Sequence, residues 1–143
     1  MRNEKALSVT SNAVDWTAKD GWYLDFNPPT NTAPGERVNV DPQLDLGTLT
    51  VATNVPVVSS TNSCTTGGGT SHKYDFDFLT GGAITGQPLA TNLSSIIVGM
   101  AIVQLPSGVI KDIITTADTT KTSDTVAISA GSNAAQRFSY RER

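Results

Sequence analysis

From His72 to Phe78 aromatic and charged residues alternate one for one: Tyr74, Phe76 and Phe78 fall on one side of an extended chain, Lys73, Asp75 and Asp77 on the other. A β-strand, whose successive side chains point to opposite faces, separates these two sets, whereas a helix would mix them. The same period of two returns in 21–26, where Trp22, Leu24 and Phe26 oppose Tyr23 and Asp25. It returns again in 36–40, with Val38 and Val40 inward, and in 44–55, read as one longer strand with Leu49, Val51 and Thr53 opposing Thr48, Thr50 and Ala52. The run 96–105 is apolar on both faces, as expected of a strand covered on both sides, and Pro106-Ser107-Gly108 joins it to 109–116 as a hairpin. Short strands over 125–129 and 136–141 complete the series. No window carries a helical period, so the sequence predicts an all-β chain of antiparallel strands.

The punctuation between these segments agrees. Residues 27–35 hold Pro28, Pro29, Pro34 and Gly35, which excludes helix and interior strand and predicts a surface loop. Pro42 and Pro56 cannot donate to a ladder and end their strands. Residues 59–71 are rich in Ser, Thr and Gly, and Gly67-Gly68-Gly69 reads as the flexible part of a mobile hairpin loop. Thr80-Gly81-Gly82 turns the chain. A length of 143 residues suits one domain with its own core, so 1–143 is expected to be a single module. Sandwich, barrel and propeller blades all fit short strands with Gly/Pro turns. At about 40–50 residues per four-stranded blade the chain would hold about two to three blades, too few to close a ring.

Charge narrows the partners. A net charge of -3 with no cluster of Lys or Arg offers nothing to a phosphate backbone, so nucleic acid is not an expected partner. No apolar run approaches the roughly 20 residues of a membrane helix. Residues 1–14 lack a charged start followed by an apolar stretch, so no secretory signal is expected here, which suits a fragment of a longer secreted protein. Cys64 is the sole cysteine and leaves open a free thiol, a bond to another chain, or a partner upstream.

Candidate chemistry is sparse. Asp75 and Asp77 stand about 7 Å apart on one strand face, close enough to share a cation, but beside Lys73 they read as a solvated face. Asp41 with Asp45, and Asp118 with Asp124, are weaker pairs, and calcium wants more oxygens than any of these gathers. His72 is the only histidine; with Cys64 it builds neither a zinc site nor a well-oriented nucleophile and base, and it reads as a polar strand position. Gly67-Gly68-Gly69 lacks the Lys-Ser/Thr of a phosphate-binding loop. Trp16, Trp22 and Tyr23 form the one aromatic concentration and read as core. Asn92-Leu93-Ser94 matches a glycosylation acceptor in letters alone. No catalytic, cofactor-binding or metal-ligating residue is assigned, and the chain is not expected to be an enzyme.

Several segments carry a family resemblance: Val14-Asp15-Trp16 leading to Lys19-Asp20-Gly21-Trp22-Tyr23-Leu24-Asp25-Phe26; Gly35-Glu36-Arg37-Val38 through Asp41-Pro42-Gln43-Leu44 to Leu46-Gly47-Thr48-Leu49; Thr53-Asn54-Val55-Pro56; and Cys64, Gly67-Gly68, Tyr74-Asp75-Phe76-Asp77 and Thr80-Gly81-Gly82. Over 14–82, with weaker echoes at 105–108 and 137–142, the chain resembles the C-terminal region of PilY/PilC-type adhesins of bacterial type IV pili. That resemblance implies a modified quinoprotein-like β-propeller, an extracellular, pilus-associated location, and roles in pilus assembly and adhesion, with pilus subunits or a host or abiotic surface as partners. The acidic calcium loop and the Arg-Gly-Asp triplet described in that family have no counterpart here, so no metal ligand is carried over. Two alternatives remain: a structural subunit that forms oligomers or filaments by β-edge pairing or strand exchange, and a quinoprotein-like oxidoreductase, which would need a complete propeller to hold its cofactor.

Overall fold

The computed structural model describes residues 9–26, 35–57, 68–126 and 128. Among them there is no helix, and every strand pair is antiparallel. Sheet A contains β1 (Arg37–Val38), β2 (Gln43–Asp45), β3 (Thr48–Pro56), β4 (Gly69–Asp77) and β5 (Ala90–Leu93). β1 and β2 share one edge of β3, the first opposite Thr53 and Asn54, the second opposite 48–50. Sheet B is the meander β6 (Ile97–Gln104), β7 (Ile110–Thr116) and β8 (Lys121–Thr125).

The backbone of the molecule is the β3–β4 ladder, in register from Thr48 opposite Asp77 to Pro56 opposite Gly69. Because cross-strand partners share a face, this register sorts the residues into two sets. Val51 with Tyr74 and Leu49 with Phe76 face one way; Ala52 with Lys73, Thr50 with Asp75 and Asn54 with Ser71 face the other. The first set carries an aromatic core: Val51, Tyr74 and Phe76 are buried, with Trp22, Leu24 and Phe26 packed over them. The Tyr74 and Phe76 rings lie nearly parallel with centroids 5.8 Å apart, while Trp22 and Phe26 tilt against them at 5.7 and 5.1 Å. The second set meets sheet B, where Ala52, Ile97 and Ile114 form a smaller apolar cluster.

Several expectations need correction. Residues 21–26 alternate in burial as their sequence predicts, yet they form no ladder; the segment is an extended cover over sheet A, tied by the Trp22 indole N–H to the Phe78 carbonyl at 2.8 Å. The single strand expected over 44–55 is two strands, broken by a two-residue hairpin turn in which Leu46 (φ 43°) and Gly47 (φ 79°) both take positive φ. Such turns match the twist of flanking strands and normally use Asn or Gly at the first position, so Leu46 hides this one from a sequence reader. Val38 is exposed and only Val40 packs inward. β6 is not covered on both sides: it is an outer strand of sheet B among the described residues, and Val98 is 58% exposed. β5 was not foreseen, and the last described strand lies at 121–125 instead of 125–129. The 106–108 hairpin is present, with Gly108 at φ 83° and Leu105 N–H bonded to the Val109 carbonyl at 2.8 Å. The strand expected over 136–141 and most of the loops at 27–35 and 59–71 lie outside the described residues.

Candidate functional site

Lys73 sits in the middle of β4, on the face that the sequence suggests is solvated. Sheet B covers that face. The Lys73 side chain is 3% exposed, and its Nζ donates to Asp112 Oδ2 of β7 at 2.7 Å, with Asp75 Oδ2 at 3.0 Å and Asp124 Oδ2 at 4.0 Å. The Asp112 side chain is 1% exposed and Asp124 69%, so the first pair is interior and the last contact is at the rim. Asp112 Oδ1 accepts the Asp124 backbone N–H at 3.1 Å, and Asp75 Oδ1 accepts the Thr50 hydroxyl at 2.8 Å. Each carboxylate is thereby oriented from behind, with its other oxygen toward Nζ. Burial pulls the Lys73 pKa down, but the hydrogen bond from Nζ to Asp112 and the charges of Asp75 and Asp112 outweigh it, and the ammonium is held above its ordinary value.

Two neutral polar ties flank this ion pair. Asn54 imitates a strand: its amide N–H donates to the Ile97 carbonyl at 2.8 Å while its Oδ1 accepts the Ile97 N–H at 2.9 Å, and it also donates to Asn39 Oδ1. Ser71 donates to the Ser95 carbonyl at 2.6 Å. At these points sheet A is joined to the chain entering β6 by directional bonds between groups that would be costly to bury unpaired. Gly69, which begins β4, belongs to the same junction. A Cβ there would stand 2.7 Å from the Val55 carbonyl oxygen and 2.8 Å from the Ile96 side chain, so this glycine serves close packing and not the loop flexibility expected of it.

A second polar group closes one end of the aromatic face. Glu36 Oε1 accepts the hydroxyls of Thr53 and Tyr74 at 2.6 and 2.8 Å, and His72 Nδ1 lies 2.5 Å from Asn92 Oδ1. His72 is a strand position as expected, but a buried one, and its Nε2 has no hydrogen-bond partner. Cys64 lies outside the described residues.

Two of the carboxylate pairs singled out in the sequence, Asp75 with Asp77 and Asp118 with Asp124, serve separate partners. Asp75 serves Lys73 and Thr50, whereas Asp77 Oδ1 accepts the N–H groups of Leu79 and Thr80 and shapes the turn at 78–80. Asp118 shapes the β7–β8 turn: the Thr116 hydroxyl and then the Thr120 N–H hold its pKa below the ordinary value. Asp124 is a strand residue near Lys73. Among the described residues no group of three or more His, Cys, Asp or Glu side chains could hold a metal ion. The aromatic trio also divides: Trp22 packs inward, but Trp16 is 53% and Tyr23 94% exposed.

Asp112 is the residue that the sequence reading passed over, and a signal for it exists. In β7 the buried positions are Ile110, Asp112, Ile114 and Thr116, so a carboxylate occupies an inward place in the alternation, which asks for a buried cationic partner. Comparisons with protein-family models, with curated proteins and with solved structures return no match.

Proposed function

We propose that this chain is a non-enzymatic surface module, the C-terminal part of a PilY/PilC-type pilus adhesin, with a modified propeller as its parent architecture. The observation that carries this reading is where the resembling segments lie. Residues 14–26, 35–49, 53–56 and 74–82 supply the cover, β1, β2, parts of β3 and β4 and the turn that follows β4, and so belong to one packing unit. Each sheet also runs as a meander, β2 to β5 and β6 to β8, the connectivity of propeller blades. Exposed Trp16 and Tyr23 on the cover give this unit rigid, amphipathic side chains with which to meet a surface or partner. A non-catalytic role suits the ionisable interior, where Lys73 and Asp112 are 3% and 1% exposed and so out of reach of an outside substrate.

The test is genetic and microscopic. Antibodies raised against the purified chain should label pili or the outer surface of the source bacterium, and an in-frame deletion of the 14–82 coding region should lower pilus number and surface attachment. Labelling confined to the cytoplasm, with unchanged pili and attachment, would sink the reading.

A second reading, edge-to-edge assembly, draws on β6. Among the described residues it is an outer strand, apolar along most of its length, and Val98 is exposed, a combination that invites another strand. Light scattering decides: oligomers that dissociate on Val98→Lys support it, and a monomer at high concentration excludes it.

A further inference from the structure

We propose that Lys73 and Asp112 are the two ends of an autocatalytic intramolecular isopeptide bond that ties sheet A to sheet B, with Asp75 as the proton shuttle. The inference is independent of the adhesin reading and rests on the geometry of the buried junction. Nζ of Lys73 is a potential nucleophile 2.7 Å from Oδ2 of Asp112, in a site where the two side chains are 3% and 1% exposed. Apolar groups close one side of the pair: Ala52 is the cross-strand neighbour of Lys73, Ile114 follows Asp112 on the inward face of β7, and both pack with Ile97. A condensation that releases water is favoured where bulk water is scarce and the reacting groups are already held together.

The steps balance without a co-reactant. A proton moves from Nζ to Asp112 Oδ2 along their hydrogen bond, turning the resting ammonium and carboxylate into amine and carboxylic acid, the minor neutral form through which the reaction passes. The amine lone pair attacks Cγ of Asp112, and negative charge builds on Oδ1, which the Asp124 backbone N–H already faces at 3.1 Å. Asp75 Oδ2, 3.0 Å from Nζ, takes a proton from the attacking nitrogen and returns it to the departing hydroxyl. The C–O bond breaks, water leaves, an Nζ–Cγ amide remains, and Asp75 ends as the carboxylate it began. Thr50, donating to Asp75 Oδ1, is a positioning residue that keeps Oδ2 turned toward Nζ. Asp124 Oδ2, 4.0 Å from Nζ and at the rim, takes no part; its backbone does.

Intact-mass spectrometry of the purified, folded full chain tests this directly. The expected mass is one water below that of the sequence, and digestion with trypsin should fail after Lys73 and yield a branched peptide joining β4 to β7. Lys73→Arg and Asp112→Ala should have full mass. Asp75→Ala, checked for folding by circular dichroism, should hold full mass or lose water at least tenfold more slowly, while Asp124→Ala should lose it normally. Chain kept in denaturant from synthesis onward should not react. A folded wild-type chain that stays at full mass after prolonged incubation overturns the proposal, and that result needs no variant to fold. Water loss that persists in Lys73→Arg also overturns it, since it places the dehydration elsewhere. Undiminished reaction in Asp75→Ala overturns the role given to Asp75.

Discussion

The two faces of the β3–β4 ladder solve the same problem with opposite chemistry. Toward the N-terminal cover, sheet A presents Val51, Tyr74 and Phe76, and Trp22, Leu24 and Phe26 close over them by area and ring packing. Toward sheet B it presents Ala52, Lys73, Asn54 and Ser71, and the contact is held by an ion pair and side-chain bonds to backbone, with a small apolar cluster between. The first face is tolerant, because burial energy is non-directional and a shifted ring still excludes water. The second is exacting. Its groups are stabilising only when each meets its partner, and a single deletion strands the other half in the interior. The difference implies that the apolar positions of the cover tolerate substitution better than the junction with sheet B, the Trp22 bond to the Phe78 carbonyl being a directional tie of the cover.

The comparison breaks most sharply at Lys73. Lys73→Met leaves Asp112 buried and unpaired and should cost about 3–5 kcal/mol by urea unfolding. Lys73→Met combined with Asp112→Leu should recover at least half of that loss, since the stranded charge is gone. If the double variant is no more stable than the single, the junction is not governed by charge. Wherever Nζ is still a free amine, the sign of the pH dependence follows from its raised pKa. The Lys73 contribution is then complete below its unfolded value of about 10.4 and is lost as pH rises through the higher folded value. A chain joined through an amide lacks this alkaline limb, so denaturation above about pH 10 separates the two forms of the junction.

On the other face, Phe76→Ala removes a fully buried ring and should cost about 3–5 kcal/mol, and Phe76→Leu less than half as much. Equal losses for the two substitutions would mean that ring geometry, not buried volume, holds the cover. Asn54→Ala deletes both bonds to the Ile97 backbone and should cost about 1–3 kcal/mol. That loss should appear with faster hydrogen exchange at Ile97, while exchange in the β3–β4 ladder stays slow. Uniform loss of protection would show that sheet B and sheet A unfold as one unit. The smallest effect belongs to the turns. Asp118, with its lowered pKa, adds stability above the ordinary carboxylate value of about 3.9 that is lost as pH falls through the lower folded one. Asp118→Asn should therefore flatten the acid limb of a pH–stability curve and leave the neutral region little changed.

The β7 strand shows how much was readable and why the rest was not. The strand over 109–116 was legible from its run and its turn, and alternation separated Tyr74 and Phe76 from Lys73 and Asp75, although Phe78 falls in the turn beyond β4 and is exposed. What alternation lacks is the knowledge of what lies opposite. Lys73 and Asp75 look like a solvated face when β4 is considered alone, and their partner arrives from 39 residues further along the chain. Likewise 96–105 is as apolar as a central strand, yet among the described residues it lies at an outer position, because the order of strands is not written in any one of them. The hairpin at Leu46-Gly47 escaped for a local reason: a leucine occupies the left-handed position where a glycine or asparagine would have announced it.

The sequence by itself determined that this protein is all-β, where most of its strands and turns fall, and which residues share a strand face, because these follow from steric preferences and a period of two within a few residues. Only the tertiary structure decided which of those faces is interior. It turned Lys73 from a surface charge into one half of a buried pair with Asp112, because burial is a property of the whole packing and not of the strand that carries the residue.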